Sequence, residues 1–184
     1  MTYYHCSPIS GLKILKPQKP ESFDKAVRVY MTTLLPMALM YGVRNFEYTY
    51  GYTKENEIYF EEYFSDALEV LYRGKSASLY ICRPETVETT RIPNEAVSEY
   101  PVPVLEEIFI PDVYEALLEQ ERLGNLVIRR HCDLPENMLN WIRKTQRKII
   151  LERNILKDSG PMAAYYRANY PDSWADAEKE QALI

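Results

Sequence analysis

Five consecutive residues near the start, Tyr3-Tyr4-His5-Cys6-Ser7, end in an imidazole, a thiol and a hydroxyl in succession. Alternation of Tyr3, His5 and Ser7 predicts a short strand, with Gly11-Leu12 opening a turn beyond it. Val27, Val29 and Met31 predict a second strand that carries Tyr30, and Leu34 to Tyr41 a helix packed behind it. In this arrangement Tyr30 points away from its apolar neighbours, so that His5 and Tyr30 share one cleft. Carboxylates are the further groups that such a cleft could use for acid–base or electrostatic work. Glu95, Glu99, Glu106 and Glu107 are the candidates, each beside an extended segment.

The order His5-x-Ser7, then Val29-Tyr30-Met31-Thr32-Thr33, then Ala38 and Tyr41-Gly42 resembles the start of the ADP-ribosyltransferase superfamily. That superfamily includes poly-ADP-ribose polymerases, diphtheria-type toxins and RNA 2'-phosphotransferases. The resemblance covers about residues 3 to 42, and more loosely 71 to 118. It implies an α+β fold of split, mixed β-sheets with flanking helices, binding NAD as substrate without a metal. By the same resemblance His5 holds the adenosine ribose, with Ser7 matching the Ser/Thr two residues on, and Tyr30 stacks on nicotinamide. Glu95, in Asn94-Glu95 at the head of an extended segment, hydrogen-bonds the nicotinamide ribose; Glu107, before Ile108-Phe109-Ile110, is the second choice. Cys6 and Val29 stand where the family often has glycine. The function implied is transfer of ADP-ribose from NAD to a protein or nucleic-acid acceptor. The rival, which the departures at Cys6 and Val29 favour, is a catalytically silent member acting as a nucleotide-binding or protein-interaction module. Transfer of an RNA 2'-phosphate to NAD is a third reading, opposed by the scarcity of His and clustered Arg. Acceptor choice is expected in loops such as Gln18 to Lys25 and Arg44 to Glu57.

Other chemistry-bearing residues read more simply. Arg73-Gly74-Lys75-Ser76 ends like a P-loop, but Glu69 occupies the position of its first glycine, which removes the phosphate cradle. His5-Cys6 and His131-Cys132 hold four potential zinc ligands, yet neighbours on a strand point to opposite faces and cannot readily converge on one ion. Arg143-Lys144, Arg147-Lys148, Arg153 and Lys157 form a basic helix face suited to solvent, RNA or an acidic surface of the same protein.

The chain that must position these groups has 184 residues, 46% of them hydrophobic, enough for a real core. Its net charge of -5 gives no general attraction to nucleic acid. Three scattered cysteines predict free thiols and a cytoplasmic setting. No apolar run approaches membrane-spanning length, and the first ten residues lack a signal-peptide core. Tyrosine dominates the aromatics, 16 against 5 Phe, which suits half-buried sheet surfaces and cleft walls.

Further on, spacing predicts a helix over 57–71 ended by Gly74, and strands over 77–83, 97–104 and 107–110. A helix capped by Asp112 follows, then a strand from Leu126. A long amphipathic helix is expected over 135–157, with Met138, Trp141, Ile142, Thr145, Ile149 and Leu156 on its apolar stripe, then a short helix and a frayed end. The organisation expected is an α+β domain over 1–130 and a helical C-terminal extension over 131–184.

Overall fold

The computed structural model describes residues 1–19 and 26–183. Most of the loop from Gln18 to Lys25, expected to help choose an acceptor, lies outside the described residues. In chain order the elements are β1 (Tyr3–Ser7), β2 (Ile14–Leu15), β3 (Val29–Thr32), α1 (Leu35–Tyr41), β4 (Tyr50–Tyr52), β5 (Ile58–Glu61) and α2 (Ala67–Tyr72). They continue with β6 (Ala77–Cys82), β7 (Glu88–Thr89), β8 (Glu95–Ser98), β9 (Val102–Ile110), α3 (Val113–Arg122) and β10 (Val127–Arg129). The helices α4 (Glu136–Glu152), α5 (Pro161–Asn169) and α6 (Pro171–Gln181) close the chain. This is an α+β protein with two sheets flanked by helices. Among the described residues no helix is long and apolar enough to cross a membrane.

Two compact units divide the chain. The first comprises Met1–Tyr48, Tyr52–Ile58 and Glu69–Val127; the second comprises Thr49–Gly51, Tyr59–Leu68 and Ile128–Ile184. The second therefore starts close to residue 130 but also recruits two stretches that the sequence placed in the first domain.

In the first unit seven strands run in the order β2-β9-β6-β1-β3-β8-β7. Every pairing in this sheet is antiparallel, which narrows the mixed pairing expected. Its two faces follow from strand alternation. On one, Val29, Met31, Tyr80, Cys82 and Val102 form a core with Leu15, with Tyr3, Leu12 and Val104 packed against it. On the other, Cys6, Ala77, Leu79, Thr32 and Val97 are buried, and α1 packs on β1 and α3. Gly42 permits that approach, because a Cβ there would lie 2.4 Å from Cys6 Sγ and 3.2 Å from Ala77 Cβ.

Asp112 caps α3 as expected: its Oδ1 accepts from Tyr114 N at 2.9 Å, and its Oδ2 accepts from Gly74 N at 2.9 Å. Gly74 has φ 73, and Lys75 Nζ donates to the Leu71 carbonyl and to Asn45 Oδ1. The Arg-Gly-Lys-Ser stretch is thus a helix-to-strand turn. The strands expected over 97–104 and 107–110 divide differently: β8 ends at Ser98, and β9 runs unbroken through Pro103, where its neighbour is the two-residue β2. A proline is tolerated there because Val104 N bonds the Lys13 carbonyl on the β2 side, so the Pro103 nitrogen faces the other way, past the end of the β6 pairing at Val104.

Two further expectations are corrected. The helix predicted over 57–71 is instead β5 followed by α2. Ile58 and Phe60 are buried in a β-branched and aromatic run, and Asp66 takes a left-handed φ of 59 that separates it from the helix. Glu61 and Glu62 are buried yet satisfied. Arg129 Nη1 lies 3.3 Å from Glu61 Oε2, while Glu62 accepts from Leu68 N and His131 N. The second correction concerns α4, which stops at Glu152; a left-handed Asn154 then leads into a short 3-10 turn. Its buried residues are Ile142, Gln146 and Ile150, and Trp141 is 48% exposed. The inward stripe is rotated by one position from that expected. Two helices, α5 and α6, follow where one was expected.

Candidate functional site

His5, Tyr30 and Glu95 stand on three consecutive strands of the large sheet, β1, β3 and β8. Pairing of Tyr4 with Thr32 fixes the register of β1 and β3. One step along each antiparallel strand sets His5 beside Met31, and two steps set Cys6 beside Tyr30. Met31 and Val29 belong to the core containing Tyr80, which is the cross-strand partner of His5. His5 therefore shares the Val29–Met31 face, and Tyr30 occupies the other. The single cleft expected for His5 and Tyr30 is not built. Tyr30 does point away from its apolar neighbours; it is β1 whose polar set faces the unexpected way.

His5 is tied to the Tyr30 strand by its ring. Nδ1 lies 2.9 Å from the Tyr30 carbonyl oxygen, which can only accept, so Nδ1 carries the proton. Nε2 is left as an acceptor with no partner among the described residues. Burial lowers the pKa of His5, opposed by the hydrogen bond to Tyr30, and favours the neutral ring. Ser7, on the same face, pairs with Ser78, and its Oγ accepts from Ile9 N at 3.2 Å.

The alternative carboxylates are occupied or remote. Glu107 is the cross-strand partner of Tyr80 and lies on the His5 face. Its Oε1 accepts from Gly11 N at 2.8 Å and lies 3.2 Å from the Tyr80 hydroxyl, which itself bonds the Ile9 carbonyl at 2.6 Å. The Gly11 hydrogen bond is the main reason the Glu107 pKa is lowered. Glu107 holds the loop after β1 onto the sheet. Glu99 and Glu106 are exposed, and Glu99 lies 3.8 Å from Arg28.

Glu95 stands differently. It opens β8 opposite Thr32, and Tyr30 pairs with Val97 two residues further on. Tyr30 and Glu95 are thus diagonal neighbours on one face, with Cα atoms about 7–8 Å apart in this geometry. Glu95 is half-buried, and its Oε1 accepts from Thr90 Oγ1 at 2.7 Å. The preceding turn is heavily anchored. Asn94 has a left-handed φ of 63; its carbonyl accepts from Thr33 N at 3.0 Å and its side-chain oxygen from Thr33 Oγ1 at 3.2 Å. Tyr52 donates its hydroxyl to the Pro93 carbonyl at 2.7 Å. Burial raises the Tyr52 pKa, and the negative charge of Glu95 acts in the same direction. Tyr41, also felt by Tyr52, is exposed and stacks on Tyr48 with ring centroids 4.8 Å apart. Tyr52 thus stands beside the Glu95 turn, and Tyr41 and Tyr48 lie on the side of Tyr52. Tyr41, Tyr48 and Tyr52 received no individual roles from the sequence; the excess of Tyr over Phe was the one signal of such a grouping.

Within the second unit the basic face of α4 meets α6. Arg143 Nε donates to Asp176 Oδ2 at 2.7 Å and Nη2 to Oδ1 at 2.9 Å, while Arg147 lies 3.2 Å from Glu180. Of the partners considered for this face, the acidic surface of the same chain is present. Cys6 and Cys82 are buried free thiols and Cys132 is exposed; burial pushes the Cys6 thiol up to about 12 and Cys82 to about 11. Neither buried thiol is a ready nucleophile. Among the described residues no group of three His, Cys, Asp or Glu side chains is placed to hold a metal ion.

No protein-family model matches this sequence, and no curated protein matches it.

Proposed function

We propose that the chain is an NAD-using, ADP-ribosyltransferase-like protein whose reaction centre is the Tyr30–Glu95 face of the large sheet. The observation that carries this reading is the anchored, half-buried Glu95 on the same face as Tyr30, with Tyr52 near enough to feel its charge. Ring surfaces suit the planar nicotinamide. In the proposed step the bond between the nicotinamide nitrogen and ribose C1' breaks, and its electron pair neutralises the pyridinium. A nucleophilic oxygen or nitrogen of the acceptor, or water, bonds to C1' and releases its proton. Positive charge gathers on the ribose as the bond lengthens, and the Glu95 carboxylate stabilises it while accepting from a ribose hydroxyl. His5 takes a positioning role, through the Tyr30 carbonyl, in place of direct contact with the adenosine ribose. Ser7, facing the same way as His5, leaves the ligand face with it. A cytoplasmic setting, where NAD is supplied and thiols stay reduced, belongs to the same proposal.

One observation favours the second reading, a silent nucleotide-binding or interaction module: the register turns His5 and Tyr30 to opposite faces. Calorimetric titration with NAD tests binding for both readings. NAD is expected to bind the wild type, and Tyr30→Ala to weaken it at least tenfold through loss of the stacking surface. At about 100-fold over its dissociation constant NAD adds roughly 2.7 kcal/mol of stability. Absence of binding at millimolar NAD refutes the proposal.

A further inference from the structure

Thr90 reaches Glu95 from the loop just beyond β7, and nothing in the sequence marked it. Its Oγ1 lies 2.7 Å from Glu95 Oε1, so the hydroxyl donates to that oxygen. The same Oγ1 accepts from Ile92 N at 3.0 Å, and Glu95 N donates to the Ile92 carbonyl at 3.2 Å. Thr90 is thereby held by its own loop while it holds the carboxylate. Glu95 Oε2 has no partner among the described residues. We propose that Thr90 is a positioning residue that occupies Oε1 and leaves Oε2 as the single oxygen offered to a hydroxyl of the bound substrate. The proposal rests on the assignment of Glu95 to the reaction centre.

The chemistry favours such a device. A carboxylate on a free side chain samples several rotamers, and only some aim a lone pair at the ribose. One fixed donor on one oxygen removes that freedom at small cost, because the donor does not compete for the second oxygen. Misplacement of a reacting group by about 1 Å costs on the order of 100-fold in rate.

The test compares Thr90→Val, which keeps the shape and removes the donor, with Thr90→Ser, which restores it. Nicotinamide release is followed under saturating NAD, alongside calorimetric NAD affinity. Expected for Thr90→Val is a kcat lower by about 10- to 100-fold with NAD affinity within about twofold of wild type; Thr90→Ser recovers most of the rate. A Thr90→Val rate equal to wild type, or a Thr90→Ser enzyme as slow as Thr90→Val, overturns the positioning role. Glu95→Gln serves as the separate control. If it turns over normally, the Glu95 assignment fails whatever Thr90 does. A wild type that releases no nicotinamide overturns the positioning role together with the Glu95 assignment; with an active wild type, high-resolution crystal structures of wild type and Thr90→Val add a readout independent of rate. A carboxylate that leaves its wild-type rotamer in the variant supports the role, and one that stays in place overturns it.

Discussion

Replacing Gly42 with alanine tests whether α1, which ends at Tyr41, lies against the Cys6 side of the sheet. Gly42 has an ordinary right-handed backbone (φ -66, ψ -12), so alanine meets no conformational objection. On backbone grounds alone it should stabilise by roughly 0.4–1 kcal/mol. Its methyl group, however, would sit 2.4 Å from Cys6 Sγ, 3.1 Å from the Leu39 carbonyl and 3.2 Å from Ala77 Cβ. Overpacking of this kind costs about 1–3 kcal/mol. The net expectation is a loss of about 1–2 kcal/mol, or roughly 3–7 °C in melting temperature for a chain of this size. Cys6→Ala removes the closest atom at the expense of a small cavity. In the double variant the new methyl partly fills that space, so the two losses do not add. Urea unfolding of wild type, both single variants and the double variant should give a favourable coupling of about 1 kcal/mol or more. Additivity within about 0.3 kcal/mol, or a Gly42→Ala protein more stable than wild type, would refute this placement of α1.

Asp112→Ala removes a helix cap and the acceptor for Gly74 N, and should cost about 2–3 kcal/mol in urea unfolding, with Asp112→Asn retaining about half. His5 gives a pH signature: its folded pKa lies below the ordinary 6.5, so the unfolded chain takes up the proton first. Stability should therefore fall as pH drops from about 6.5, and His5→Gln should flatten that part of the profile; an unchanged slope contradicts the assignment of a buried neutral ring. Under native conditions a thiol reagent should modify Cys132 rapidly, with Cys6 and Cys82 reacting only on unfolding, as peptide mass spectrometry would record.

Local signals carried far in this sequence. The alternation around His5 and around Tyr30 located β1 and β3, and Asp112 announced the start of α3 by its side-chain acceptor. What alternation does not encode is which set of β1 faces which set of β3. That is decided by register, here by Tyr4 meeting Thr32. The misreading of 57–71 has a similar origin. Ile58, Phe60, Phe64, Ala67 and Leu68 fit a helical stripe almost as well as a strand followed by a helix. The left-handed Asp66 that separates the two elements is not legible from composition. On α4 Gln146 is buried in place of Thr145; the helix packs on α6, a non-local neighbour that periodicity does not reveal. Asn94-Glu95 opening an extended segment points to Glu95, and the structure adds what sequence does not carry: Thr90 as its donor, Thr33 as the anchor of Asn94, and Tyr52 on the preceding turn.

The most direct measurement of the central claim is nicotinamide release from NAD by wild type and by Glu95→Gln, with NAD affinity determined for both. The substitution keeps the size of the side chain and removes a charge that acts only as the glycosidic bond breaks. A rate lower by about 100-fold or more in the variant, with NAD bound as tightly as by wild type, is the expected result. Equal rates in the two proteins, or NAD binding with no release by the wild type, would contradict catalysis at Glu95.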